Sequence, residues 1–135
     1  MNSFLSKYSD LGLLILRIGV GVSFIINHGW MKITGGAERW EKIGGAVSVF
    51  GITFLPIFWG FMASFAEFFG AIFLILGIFF RQSAFLLACT MFVAAARHLS
   101  KGESASNPIE LFFVFLALIF IGAGKYSIEE KFLKK

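Results

Sequence analysis

Four apolar runs, each closed by glycine, proline or charge, divide the chain. The first extends from about Leu11 to Met31, broken only by Arg17, Asn27 and His28, and stops before Gly35 and Gly36. The second is Pro56–Phe80, closed by Arg81 and Gln82; the third runs from Ser83 to Leu99 and the fourth from Pro108 to Gly124. At about 1.5 Å of rise per residue, roughly 20 residues cross a hydrocarbon core of about 30 Å. The first two runs meet that length and the last two lie near its lower limit. The pattern predicts an all-α fold over residues 1–135 as one membrane domain: four transmembrane helices spanning 11–31, 56–80, 83–99 and 108–124, with both termini on one side. Between the first two spans, AERWEKIGG sets Trp40 and Ile43 three apart among Glu38, Arg39, Glu41 and Lys42, the pattern of a short amphipathic helix lying at the interface. The first span has only Lys7 as a basic flank and no A-x-A site, so it reads as a retained helix rather than a cleaved signal.

Glu67 is the one charged residue between Pro56 and Phe80. An ionisable group at that depth costs at least about 2.5 kcal/mol, so it should face a bundle interior with a partner. Helical spacing puts Gly60, Ala63, Ser64, Glu67, Gly70 and Ala71 on one stripe, with Phe61, Phe65, Phe68 and Phe69 turned away. Small residues let membrane helices approach closely, so this stripe should meet its neighbours while the phenylalanines meet lipid. In helix one, Arg17, Gly21, Phe24 and His28 follow at spacings of a single face; Arg97 or His98 of helix three and Glu110 of helix four enter from the side opposite the termini. The candidate buried polar or ligand site is therefore Arg17, His28, Glu67, Arg97, His98 and Glu110. The alternative is an ion-pair network that fixes helix register, with Arg97, His98 and Glu110 snorkelling to the interface. No metal is expected: HExxH, ExxH and CxxC spacings are absent and the arginines would repel a cation.

Composition narrows the classes further. Hydrophobic residues make up 58% of the chain against 15% charged, and the mean hydropathy of +0.84 excludes a small soluble domain. The net charge of +4 comes from dispersed lysines and arginines, so nucleic acid is not an expected partner. Cys89 has no second cysteine in the chain to pair with, which rules out a dithiol mechanism within one copy. No Walker loop, GxGxxG or GxSxG occurs, so no self-contained catalytic motif is legible. The basic tail KYSIEEKFLKK beside the last span favours cytoplasmic termini.

The runs LGLLILRIGVGVSFIINHGWMKITGG, GGAVSVFGI, FAEFFGAIFLILGIFFRQSAFLLACTMFVAAARHLSKGE and IFIGAGKYSIE resemble the DoxX family of small four-helix membrane proteins, from Leu11 to Glu129. The resemblance rests most on Arg17 and the HGxxK element of helix one (His28, Gly29, Lys32), the AE-containing core of helix two, and the closing GxGxYS; Ala71 stands where a second glycine is common. It implies a four-helix bundle of the bacterial inner membrane, linked to quinol oxidase or thiosulfate:quinone oxidoreductase systems, whose members are labelled oxidoreductases without demonstrated chemistry. Three functions compete. The first is an accessory subunit of a quinone-linked redox or oxidative-stress system, in which Arg17, His28 and Glu67 hydrogen-bond a bound quinone and move protons; a quinone needs no covalent ligand. The second is a noncatalytic scaffold or assembly factor for a redox enzyme or other protein. The third is a small-molecule or proton pathway, which four short helices would form only as a homo-oligomer.

Overall fold

Glycines, more than polarity, set where the helices stop, and Pro56 marks where one begins. The computed structural model describes residues 3–133, and these are all-helical with no strand. After one turn at Ser3–Ser6, α1 runs Ser9–Ile33 and α2 Gly36–Gly44; a 3-10 stretch, Gly45–Phe50, leads to α3, Pro56–Leu76. Then follow α4, Phe80–Ser100, α5, Ser106–Ile121, and a tail ending in a π turn at Glu129–Leu133. Among them α1, α3 and α4 are long and apolar enough to cross a membrane, and α5 is apolar but shorter. The chain is a membrane protein with transmembrane helices.

The run 56–80, expected as one span, divides at its far end. Gly77 takes a left-handed φ of 73°, and the amides of Gly77 and Ile78 both donate to Phe73 O, at 2.8 and 3.1 Å. That closes α3 in the manner of a glycine C-cap. Fully buried Phe80 then opens α4, while Arg81 and Gln82 are exposed in its first turn rather than closing the previous span. The hinge is as apolar as the helices it joins, which is why hydropathy ran across it. The last span also shifts, starting at Ser106 rather than Pro108 and ending before Gly122, whose φ is 86°.

Both α1 and α3 contain a single π turn, at Ile25–Gly29 and Ala66–Gly70. Such a turn holds one residue more than an α turn and rotates the following face by the same excess. The two π turns lie against one another, Gly29 on the main chain of Glu67 and Phe68. Lower in the bundle Phe24, Leu74, Phe80, Leu87, Met91, Phe115 and Leu118 form the core, with Ala71, Ala84 and Ala88 filling between helices. Phe24 meets Phe115 edge-on at 5.3 Å, which ties α1 to α5. Phe85, Phe92, Phe113 and Phe120 are exposed, the surface a helix presents to lipid.

The segment between the first two long helices is helical as α2, with Glu38, Arg39, Glu41 and Lys42 exposed and Trp40 and Ile43 half-buried. It packs antiparallel on the first turns of α3. Gly44 abuts Pro56 O and Gly60 abuts Trp40 O, approaches that leave no room for a β-carbon on either glycine.

Candidate functional site: a buried ion pair at the edge of an apolar cavity

Glu67 occupies the small-residue stripe of α3 as its spacing requires. Gly60, Ser64, Glu67, Gly70 and Ala71 are buried and Ala63 half-buried, whereas Phe61 and Phe69 are exposed and Phe65 and Phe68 intermediate. Ser64 turns its hydroxyl onto Gly60 O, 2.8 Å away on its own helix, and leaves Glu67 to find a partner elsewhere. That partner is Lys32 in the last turn of α1, whose Nζ stands 2.6 Å from Glu67 Oε2. The carboxylate is 2% exposed and the lysine side chain 28%, so the pair joins the interior to the surface through the lysine stem. The approach is a charge contact whose angles fall outside those of a hydrogen bond, and Oε2 receives no hydrogen bond from the described residues. Trp40 of α2 fixes the end of α1 by donating its indole N–H to Lys32 O at 2.9 Å.

The pair borders a cavity of about 410 Å³ between α3, α4 and the 3-10 stretch. Its walls are apolar, including Val47, Phe50, Phe58, Met62 and Val93. The hydroxyl and indole on the wall are spent: Thr90 Oγ1 donates to Leu86 O at 2.9 Å and Trp59 Nε1 to Phe54 O at 3.1 Å. Phe50, Phe58 and Cys89 are lining residues that are also exposed, so the cavity opens on the flank they share. A second hollow of about 350 Å³ lies at the opposite end among Asp10, Arg81, Lys125 and Glu129, where charges of both signs offset one another.

The other expected site residues do not converge on Glu67. Arg17 is 1% exposed and serves the far end of the bundle. Its Nε donates to Leu74 O at 3.0 Å and Nη2 to Ile75 O at 2.6 Å, where α3 ends, and Nη1 reaches Ala123 O and Tyr126 O at 3.2 and 3.3 Å. Carbonyls at a helix C-terminus carry partial negative charge, so they accommodate a guanidinium where no carboxylate does. Left-handed Gly122 and Gly124 turn the chain so that Ala123 and Tyr126 can reach it, which gives the GxGxYS segment a structural reason. Phe80 adds its ring, 5.9 Å from the guanidinium carbon.

His28 is exposed, its ring 5.2 Å from Phe24. The π turn is the cause: after buried Phe24 the inward position falls on Gly29, five residues on, instead of on His28. Arg97 lies half-buried beside Gly45, and among the described residues no carboxylate pairs with it. His98 Nδ1 lies 2.8 Å from Glu103 Oε2, both side chains well exposed, and Glu110 is exposed just past the first turn of α5. Sequence reasoning placed Lys32 in the HGxxK element but left it out of the site. The signal was present, because Lys32 continues the Arg17, Gly21, Phe24, His28 series by four residues.

The DoxX family model matches residues 12–99, a stretch that holds Lys32, Glu67 and most of the cavity wall. A protein of Haemophilus influenzae (strain ATCC 51907 / DSM 11121 / KW20 / Rd), described as an uncharacterized protein, is 34% identical over 144 aligned positions, with both chains covered in full. No solved structure matches the chain.

Proposed function

The chain belongs to the DoxX family, and from that premise we propose that it is an accessory subunit of a quinone-linked redox or oxidative-stress system. It acts in the bacterial inner membrane as a bundle of four spans, α1, α3, α4 and α5, with cytoplasmic termini marked by the basic tail. The observation that carries this reading is the Lys32–Glu67 pair at the edge of the apolar cavity. Binding sites of this kind combine apolar walls with a few placed polar groups. A quinone matches them, with an apolar ring and tail to fill the walls and oxygens for an ammonium and a carboxylate. When bound it would supply two-electron chemistry; the protein would orient its ring, exclude water, and hold a proton at Glu67.

Solvent extraction of protein purified in mild detergent tests the reading. Quinone should be recovered with wild type and reduced in Glu67→Gln. Absence of quinone, together with normal quinol-dependent respiration and thiosulfate oxidation in a Glu67→Gln strain, would remove it. A noncatalytic scaffold, judged by a stoichiometric partner on gentle pull-down, and a small-molecule or proton pathway, judged by Glu67-dependent flux in proteoliposomes, are then the remaining readings.

A further inference from the structure

A quinone site has two possible occupants, the oxidised ring with bare carbonyl oxygens and the reduced ring with hydroxyls. The residues at the inner edge of the cavity distinguish them. Glu67 Oε2 is buried, borders the cavity and, apart from the Lys32 ammonium at 2.6 Å, has no polar partner among the described residues. Its neighbour Lys32 approaches it closely as a charge and keeps further N–H bonds free to donate, since an ammonium has three. Thr90 and Trp59 have committed their hydrogens to backbone carbonyls, so neither the hydroxyl nor the indole of the walls donates to that oxygen.

Resting on the quinone reading, we propose that this site holds the quinol in preference to the quinone. A quinol hydroxyl can donate to Glu67 Oε2 and accept from Lys32 Nζ together. A quinone oxygen can only accept, so it engages Lys32 and adds no hydrogen bond to the carboxylate oxygen, which keeps the ammonium as its one partner. A hydrogen bond to a charged group in a site shielded from water separates the two ligands by about 10- to 100-fold in dissociation constant. Tenfold tighter binding of the reduced form raises the midpoint potential of the bound two-electron couple by about 30 mV. A site poised in that direction favours arrival of electrons from a partner over their departure to the pool.

Isothermal titration of the purified full chain, under nitrogen, with a decyl-substituted benzoquinone and separately with its quinol, reads the preference directly. The expected result is a quinol dissociation constant at least tenfold lower than that of the quinone, with the ratio falling to near one in Glu67→Gln. Equal affinities, or tighter binding of the quinone, overturn the proposal and leave the quinone reading standing. Failure of both ligands to bind overturns the two together. A preference that persists unchanged in Glu67→Gln overturns the assignment to this carboxylate. Should that variant not fold, Cys89→Phe, a bulkier side chain on the cavity wall, takes its place: affinity for both ligands must fall, and unchanged affinity overturns the assignment to this cavity.

Discussion

Gly29 rests directly on the main chain of Glu67: a β-carbon at position 29 would stand 2.8 Å from both Glu67 O and the Cα of Phe68. The two π turns can therefore touch only because one of them carries glycine at the point of contact. Gly29→Ala should force them apart and destabilise the protein by about 1–3 kcal/mol, the usual cost of overpacking. Gly12 and Gly19, with open space around their would-be β-carbons, are the controls. Alanine there should be neutral or stabilising by up to about 1 kcal/mol. Thermal unfolding in detergent compares the three; an unchanged midpoint for Gly29→Ala would show that the π turns do not pack this way.

Removing one charge of the Lys32–Glu67 pair should be asymmetric. Lys32→Met strands a buried carboxylate, at a cost of up to about 3–5 kcal/mol. Glu67→Gln leaves an ammonium whose stem is already partly exposed and can carry it to the surface, so its cost should be smaller. The double variant Lys32→Met/Glu67→Gln should recover stability relative to Lys32→Met alone. A double-mutant cycle measures this, with a coupling of at least about 0.5 kcal/mol expected for groups in contact; additive effects would mean that the pair does not form in the bundle.

Arg17→Lys should uncouple the tail from the helices. An ammonium cannot reproduce the planar fork that reaches Leu74, Ile75, Ala123 and Tyr126. Each hydrogen bond to a charged donor contributes about 1.5–3 kcal/mol, so losing even two of them is severe. Hydrogen exchange should show residues 122–133 losing protection first, while α4 keeps its own. Uniform loss across the chain would indicate global unfolding instead of release of the clamp.

Cys89 reports on cavity occupancy. Its thiol is exposed and lines the cavity, so an apolar maleimide should modify it in detergent. Saturating decyl-substituted quinol should slow the modification at least several-fold, as followed by intact-protein mass spectrometry. Equal rates with and without quinol would place the ligand elsewhere.

Hydropathy found the helices because burial in lipid demands long apolar runs, and the small-residue stripe placed Glu67 correctly. It could not find the hinge at Gly77–Phe79, where the chain turns without becoming polar, or the docking of α2, which depends on Gly44 and Gly60 permitting main chains to touch. The site was read one step out of phase. Regular spacing carried Arg17, Phe24 and His28 along one face, but the π turn at Ile25–Gly29 rotated His28 outward and presented Gly29 and Lys32 instead. Arg17, grouped with Glu67 by its helical spacing, instead donates to carbonyls at a helix end and in the tail, acceptors that leave no mark in the side-chain sequence.

Phe50, Phe58 and Cys89 line the cavity and are exposed, so its mouth is framed largely by apolar side chains. A long-tailed ligand concentrates in the bilayer, gaining about 0.8 kcal/mol per buried methylene, before it meets the protein at all. Occupancy is then governed by the ligand's mole fraction among the lipids, and exchange by diffusion in two dimensions. A contact that would be too weak to matter in water can in this setting stay filled, emptying and refilling as the composition of the surrounding membrane changes.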